Sequence, residues 1–245
     1  MKFLAISDLH TYLPVITEEF DLLMICGDVC PDEESKYQQG DYLKTTFANW
    51  VKSLPFKTPW SKVIFVPGNH DGFFDGYSGV GDKMIIEHNA GGRLVILNHD
   101  IYEFEYPVSD GVDSLTIFGS PYCKRFGNWS FMVDNETLEK KYSQIPDNVE
   151  ILLTHDSPNI DKLGAVTDEN SRFYNPFAGN DVLVKHIDRI KPIIFHSGHI
   201  HSGNHNFHQY NGIWMANVSY VDEDTLPING YLSYNFDEET KKVVY

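Results

Sequence analysis

Residues 63–71 read Val-Ile-Phe-Val-Pro-Gly-Asn-His-Asp. Four uninterrupted apolar residues suit a short strand buried on both faces of a sheet. The Pro-Gly pair ends it, leaving Asn69, His70 and Asp71 just beyond its carboxyl end. The pattern repeats along the chain. Residues 3–6 run into Ser7-Asp8-Leu9-His10, and residues 22–26 into Gly27-Asp28. Residues 151–153 run into Thr154-His155-Asp156, and residues 193–195 into His196-Ser197-Gly198-His199-Ile200-His201. Open α/β sheets bind ligands beyond the carboxyl ends of their strands, so these strand ends would deliver two Asp, one Asn and at least four His into one crevice. A single Asp or His after a strand is usually a turn former or a helix cap. Turn chemistry does not favour His, so the recurrence points to a site. A Gly precedes Asp28, Asn69 and His199, where backbone must bend and approach closely.

Between these strands lie helical patterns over 34–54, 134–145 and 180–190. In the first of them Leu43, Phe47, Trp50, Val51 and Leu54 share one face. Strands alternating with helices argue an α/β protein. Residues 93–97, 101–106 and 115–118 follow too closely for helices between them. After His201, residues 206–210, 213–218, 231–236 and 242–245 read as antiparallel additions joined by turns such as Asn211-Gly212. The expectation is a mixed α/β (α+β) fold with two sheets, a single domain over residues 1–245.

The chain carries 19 Lys and Arg against 35 Asp and Glu over 245 residues, a net charge of −16. Such a surface disfavours duplex nucleic acid and anionic membranes, both polyanions, but bound cations can reverse the field locally. Cys26, Cys30 and Cys123 are too few for a disulfide framework, and Cys26 with Cys30 lacks a second pair to close a structural zinc site. The apolar run at the amino terminus is too brief for a signal-peptide core, and no stretch is long enough to cross a bilayer. The expected location is the cytoplasm.

Asp8-x-His10 and His199-x-His201 each present two donors on one side of an extended segment. Imidazole with carboxylate and amide oxygen suits Mn, Fe, Zn, Ni or Co better than Ca. Seven donors exceed what one ion takes, so two divalent ions sharing a carboxylate are expected.

Asp8-x-His10, Gly27-Asp28, Gly68-Asn69-His70-Asp71, His155 and Gly198-His199-x-His201 together resemble the signature of the calcineurin-like metallophosphoesterases. Phe118-Gly119-Ser120-Pro121-Tyr122, followed by Phe126 and Trp129, resembles the small MPPED-type phosphodiesterase subgroup. The resemblance implies a four-layer αββα sandwich. It also implies that Asp8, His10 and His201 hold one ion, that Asn69, His155 and His199 hold the other, and that Asp28 bridges. His70 would face the substrate and protonate or stabilise the departing alkoxide, as a bridging hydroxide attacks phosphorus. The sequence departs from relatives in the acid after His155: Asp156 would orient His155 or narrow access for anions. It also lacks an Asp after Asp28 at the protein-phosphatase spacing, where Asp71 would substitute for it or point away.

The expected activity is hydrolysis of small phosphodiesters or nucleotides. A phosphomonoesterase of the same fold, a phosphate-binding protein without turnover and a nuclease are the alternatives. His196 reads as a core histidine; His205 and His208 are not expected in the site; His88, His99 and His186 read as surface residues. Phe73, Phe74 and Tyr77 form either an aromatic wall for a nucleobase or a lid over the core, and Tyr122, Phe126 and Trp129 share that ambiguity.

Overall fold

The computed structural model describes every residue of the chain except 33, 77, 168, 170 and 172. In chain order the strands and helices are β1 (Lys2–Ile6), β2 (Leu22–Ile25), α1 (Lys36–Tyr42), α2 (Ala48–Lys52), β3 (Lys62–Phe65), α3 (Val80–Asn89), β4 (Leu94–Ile96), β5 (Asp100–Val108), β6 (Gly111–Ser120), β7 (Cys123–Lys124), β8 (Met132–Val133), α4 (Asn135–Tyr142), β9 (Ile151–Thr154), α5 (Asp181–Ile190), β10 (Ile194–Ser197), β11 (His208–Tyr210), β12 (Ile213–Asn217), β13 (Leu232–Asp237) and β14 (Lys242–Val244). One six-stranded sheet has the order β14-β13-β1-β2-β3-β4, a second β11-β12-β10-β9-β6-β5, and β7 and β8 pair as a small two-stranded sheet.

The layering follows from alternation along each strand. Phe3 and Ala5 of β1 pack between the sheets with Ile64 of β3, Ile117 of β6, Ile151 of β9 and Ile194 of β10. Leu4 and Ile6 face the other way, onto Leu43, Phe47, Val51 and Ile86 of the first helical layer. On the far sheet Leu152 and Phe195 pack against Leu138, Tyr142, Leu183 and Ile187 of α4 and α5. The result is the four-layer αββα sandwich. Asn180 caps α5 by accepting from the N–H of Val182 and of Leu183, and Asp134 caps α4 through Thr137. Between α1 and α2 a π-helical turn, Leu43–Phe47, adds a residue to the helix and keeps Leu43, Phe47 and Val51 buried together.

Two elements depart from the sequence reading. β12 pairs in parallel with β10, although it forms the expected antiparallel hairpin with β11 through Asn211 and Gly212, both at positive φ. Helix α3 buries only Ile86, so it lacks the apolar stripe that would reveal it.

Candidate metal centre

The carboxyl ends of β1, β2, β3, β9 and β10 bring Asp8, His10, Asp28, Asn69, His70, His155, His199 and His201 to one crevice. Asp8, His10 and His201 form one group whose donor atoms lie within 4.8 Å of one another, and Asp8, Asp28 and His155 form another. The second joins the two sheets. Asn69 Oδ1 lies 2.9 Å from His155 Nε2, and Asp28 Oδ2 lies 3.2 Å from the same nitrogen. Asp8, Asp28, Asn69 and His155 are buried.

The backbone is bent to achieve this. Asp8, His10, Asp28 and His199 have φ of 54°, 39°, 54° and 69°, a region that L-residues occupy at a cost of about 1–3 kcal/mol and that clusters at functional sites. Gly198 has no side chain because a Cβ there would collide with Ser7 Oγ and Asp8 Oδ2. Its neighbour His199 donates its N–H to both Asp8 oxygens, each at 3.1 Å, and Ser219 Oγ donates to Asp8 Oδ2 at 2.6 Å.

The imidazoles are set for cations. His155 Nδ1 lies 2.7 Å from the Cys26 carbonyl, and His201 Nδ1 lies 2.8 Å from the Asp222 carbonyl. Carbonyls only accept, so in both rings Nδ1 carries a proton, which leaves Nε2 as the atom that would meet a cation, the arrangement found behind metal-bound histidines. His10 Nδ1 meets Asp32 Oδ1 at 2.7 Å, while its Nε2 is buried with no hydrogen-bond partner. A buried nitrogen without a partner is costly, and a cation beside Asp8 and His201 would satisfy it. Without cations, protons take their place. Burial opposes a charge on His155, but Asp28 and Asp8 lift it to about 10. His201 is likewise opposed by burial and lifted by Asp8 to about 9. Asp8 and Asp28, though buried, are held well below the usual carboxylate range, mainly by His201 and His155 respectively. Burial and the adjacent His155 push His199 down to about 3. The donor set fits two divalent ions.

His70 stands at the edge, its backbone N–H donating to Asp28 Oδ1 at 2.7 Å. Its Nδ1 lies 3.0 Å from Asp32 Oδ1, the oxygen that also meets His10. Asp32 was not anticipated, because the spacing after Asp28 is wrong for the protein phosphatases. The signal was a carboxylate four residues after Asp28, past Cys30-Pro31. The loop makes up the difference by turning around Asp71. That carboxylate accepts from the N–H groups of Asp28, Val29, Cys30 and Gly68 at 2.7–3.0 Å, and so points away from His70. Asp156 accepts from Lys124 N–H and Asn180 Nδ2, both at 2.7 Å; it braces loops and does not touch His155, whose two nitrogens are occupied elsewhere.

Among the other histidines, His196 is buried with Nε2 2.9 Å from Tyr234 Oη, a core role as expected. His205 supports the His201 carbonyl through Nε2 at 2.9 Å. His186 is buried against Tyr142, contrary to the surface reading, because α5 turns that face to α4. Phe73 and Phe74 are buried under the first sheet, so they form the lid and not the wall; Tyr77 lies outside the described residues. A cavity of about 420 Å³ opens above the cluster, lined by His10, Asp28, Asn69, His70, His199 and His201 with Lys124, Phe126, Trp129, Phe173 and Glu223.

The chain belongs to the calcineurin-like phosphoesterase family, whose sequence pattern matches residues 1–212. Members use divalent metal ions and hydrolyse phosphoesters. The chain is similar to metallophosphoesterase domain-containing protein 1 of Homo sapiens, 25% identical over 246 residues, 93% of this chain and 67% of that protein. It thus spans about two thirds of that relative's length. Its fold is similar to that of TT1561 of Thermus thermophilus, with a TM-score of 0.54 and 11% identity over 88% of both chains. It is also similar to phosphopantetheinyl hydrolase from Mycobacterium tuberculosis, with a TM-score of 0.50 and 17% identity over 89% of this chain and 88% of that one. Among the described residues no helix is long and apolar enough to cross a membrane.

Proposed function

We propose that the chain is a two-cation phosphodiesterase acting on small diesters. Asp8, His10 and His201 hold one ion, Asn69, His155 and His199 the other, and Asp28 lies between them. The observation that carries this reading is the buried, unpartnered Nε2 of His10, set in a cluster where His155 and His201 also have Nδ1 committed to carbonyls. When bound, two divalent ions supply positive charge to phosphoryl oxygens and make hydroxide available near neutral pH. His70 faces the cavity with Nδ1 on Asp32, so its Nε2 is the atom that delivers a proton to the departing oxygen. Asp32 positions His70 and His10 through one oxygen.

The preference for diesters rests on the rim. Asp32 and Glu223 line the cavity, and Lys124 Nζ is committed to the Gly179 carbonyl at 3.1 Å. Asp32 is paired with His10 and His70, so it is the Glu223 carboxylate that a dianionic monoester would meet at a greater cost than a monoanionic diester. The test is manganese-loaded protein assayed on p-nitrophenyl phosphate, bis-p-nitrophenyl phosphate and 2′,3′- and 3′,5′-cyclic nucleotides. Faster turnover of diesters supports the reading; faster turnover of the monoester overturns the preference, and no turnover of any overturns the enzyme.

A further inference from the structure

Two large rings stand in water beside the site. Phe126 is 61% exposed and Trp129 46% exposed. Their ring centroids lie 5.4 Å apart. Phe126 is 5.4 Å from the His199 ring, and Trp129 is 6.0 Å from the His70 ring. The pair therefore lies along one wall of the cavity, reaching from a proposed metal ligand to the proposed proton donor.

The loop that carries them is held at its base. Cys123 N–H donates to the Phe131 carbonyl at 3.0 Å, and Arg125 N–H donates to the Val133 carbonyl at 3.1 Å. Arg125 Nη2 donates to the Met132 carbonyl at 3.1 Å. Asp156, next to His155 in the chain, fixes the N–H of Lys124. The Trp129 indole rests on Gly127, where a Cβ would run into the ring. Exposed apolar surface held in place beside a cavity marks a binding surface.

Val166, Ala178 and Ile200 also line the cavity, but the wall between His199 and His70 is made of the Phe126 and Trp129 rings, and ring faces select flat partners through offset stacking. We infer that Phe126 and Trp129 form a subsite for a planar aromatic or heteroaromatic group esterified to the phosphorus. The inference rests on the phosphodiesterase reading above and names its substrate class.

The experiment compares three p-nitrophenyl diesters with the same leaving group and a phenyl, hexyl or methyl second ester. Base–aromatic stacking sets the scale, so kcat/KM for phenyl is expected to exceed that for methyl by about tenfold. Phe126→Ala and Trp129→Leu bring that ratio close to one, as does Gly127→Ala by displacing the indole. A wild-type ratio near one, a ratio unchanged in the variants, or hexyl matching phenyl overturns the subsite. Calorimetric binding of phenyl methylphosphonate against methyl methylphosphonate separates this from the enzyme reading. Without turnover, phenyl-selective binding abolished by Phe126→Ala upholds the subsite while the phosphodiesterase reading falls. Unselective binding, or none, overturns the subsite even if diesters are hydrolysed.

Discussion

The Asp71 carboxylate accepts the backbone N–H of Asp28 at 2.8 Å; with the amides of Val29 and Cys30 it fixes the loop that carries the proposed bridging ligand, and with that of Gly68 it ties this loop to its own. Removing it leaves four buried donors without an acceptor. Each such loss costs about 1–3 kcal/mol, and metal affinity falls by roughly 10–100-fold when an outer support is lost. Asp71→Ala is expected to lower both the urea midpoint and the metal content by mass spectrometry. Full metal retention in a folded variant contradicts this role.

His70→Ala is expected to keep its metals and to slow turnover of esters with poor leaving groups by roughly 10²–10⁴. Esters of p-nitrophenol need little protonation, so they suffer less. Equal slowing across leaving groups argues against a proton donor at His70.

Asp32→Asn acts on two groups, since Oδ1 meets both His10 and His70. Expected are a weaker metal site and a changed pH profile of kcat. A variant with weaker metal binding but an unchanged profile assigns Asp32 to His10 alone.

His196 links stability to pH. Burial holds it at about 3 against an ordinary value of 6.5, so the folded chain binds fewer protons than the unfolded one. Its contribution is intact above pH 6.5 and is lost as pH falls toward 3. At pH 5 the loss is about 2 kcal/mol. His196→Gln is expected to flatten the fall in urea stability between pH 7 and 5 by that amount; an unchanged slope means other groups set the acid limit.

Cations at a hundredfold excess over Kd stabilise by about 2.7 kcal/mol per site, which at this chain length raises Tm by roughly 5–10 °C. Asp28→Ala is expected to abolish the rise. Scanning calorimetry with and without chelator checks both.

Much of this was legible in the sequence because its signal is local. The strands that end at Asp8, Asp28, Asn69, His155 and His199 are short apolar runs closing on polar residues, and a run of that kind needs no knowledge of its neighbours. What was hidden depends on distant pairing. The turn at Asn211-Gly212 reveals the β11–β12 hairpin, yet nothing in it tells that β12 lies parallel to β10. Asp32 reaches His70 only because Asp71, from another strand end, gathers the intervening amides. Helix α3 offers a single buried residue and therefore no stripe. Phe126 and Trp129 could not be told from core aromatics until their exposure was known.

The donors come from both halves of the sandwich: Asp8, Asp28 and Asn69 from one sheet, His155 and His199 from the other. On the proposed reading the ions are a clasp as well as a reagent. A cell short of metal would then hold a chain whose halves part more readily and which proteases reach sooner, so the supply of cations would govern how long the protein survives as well as how fast it works.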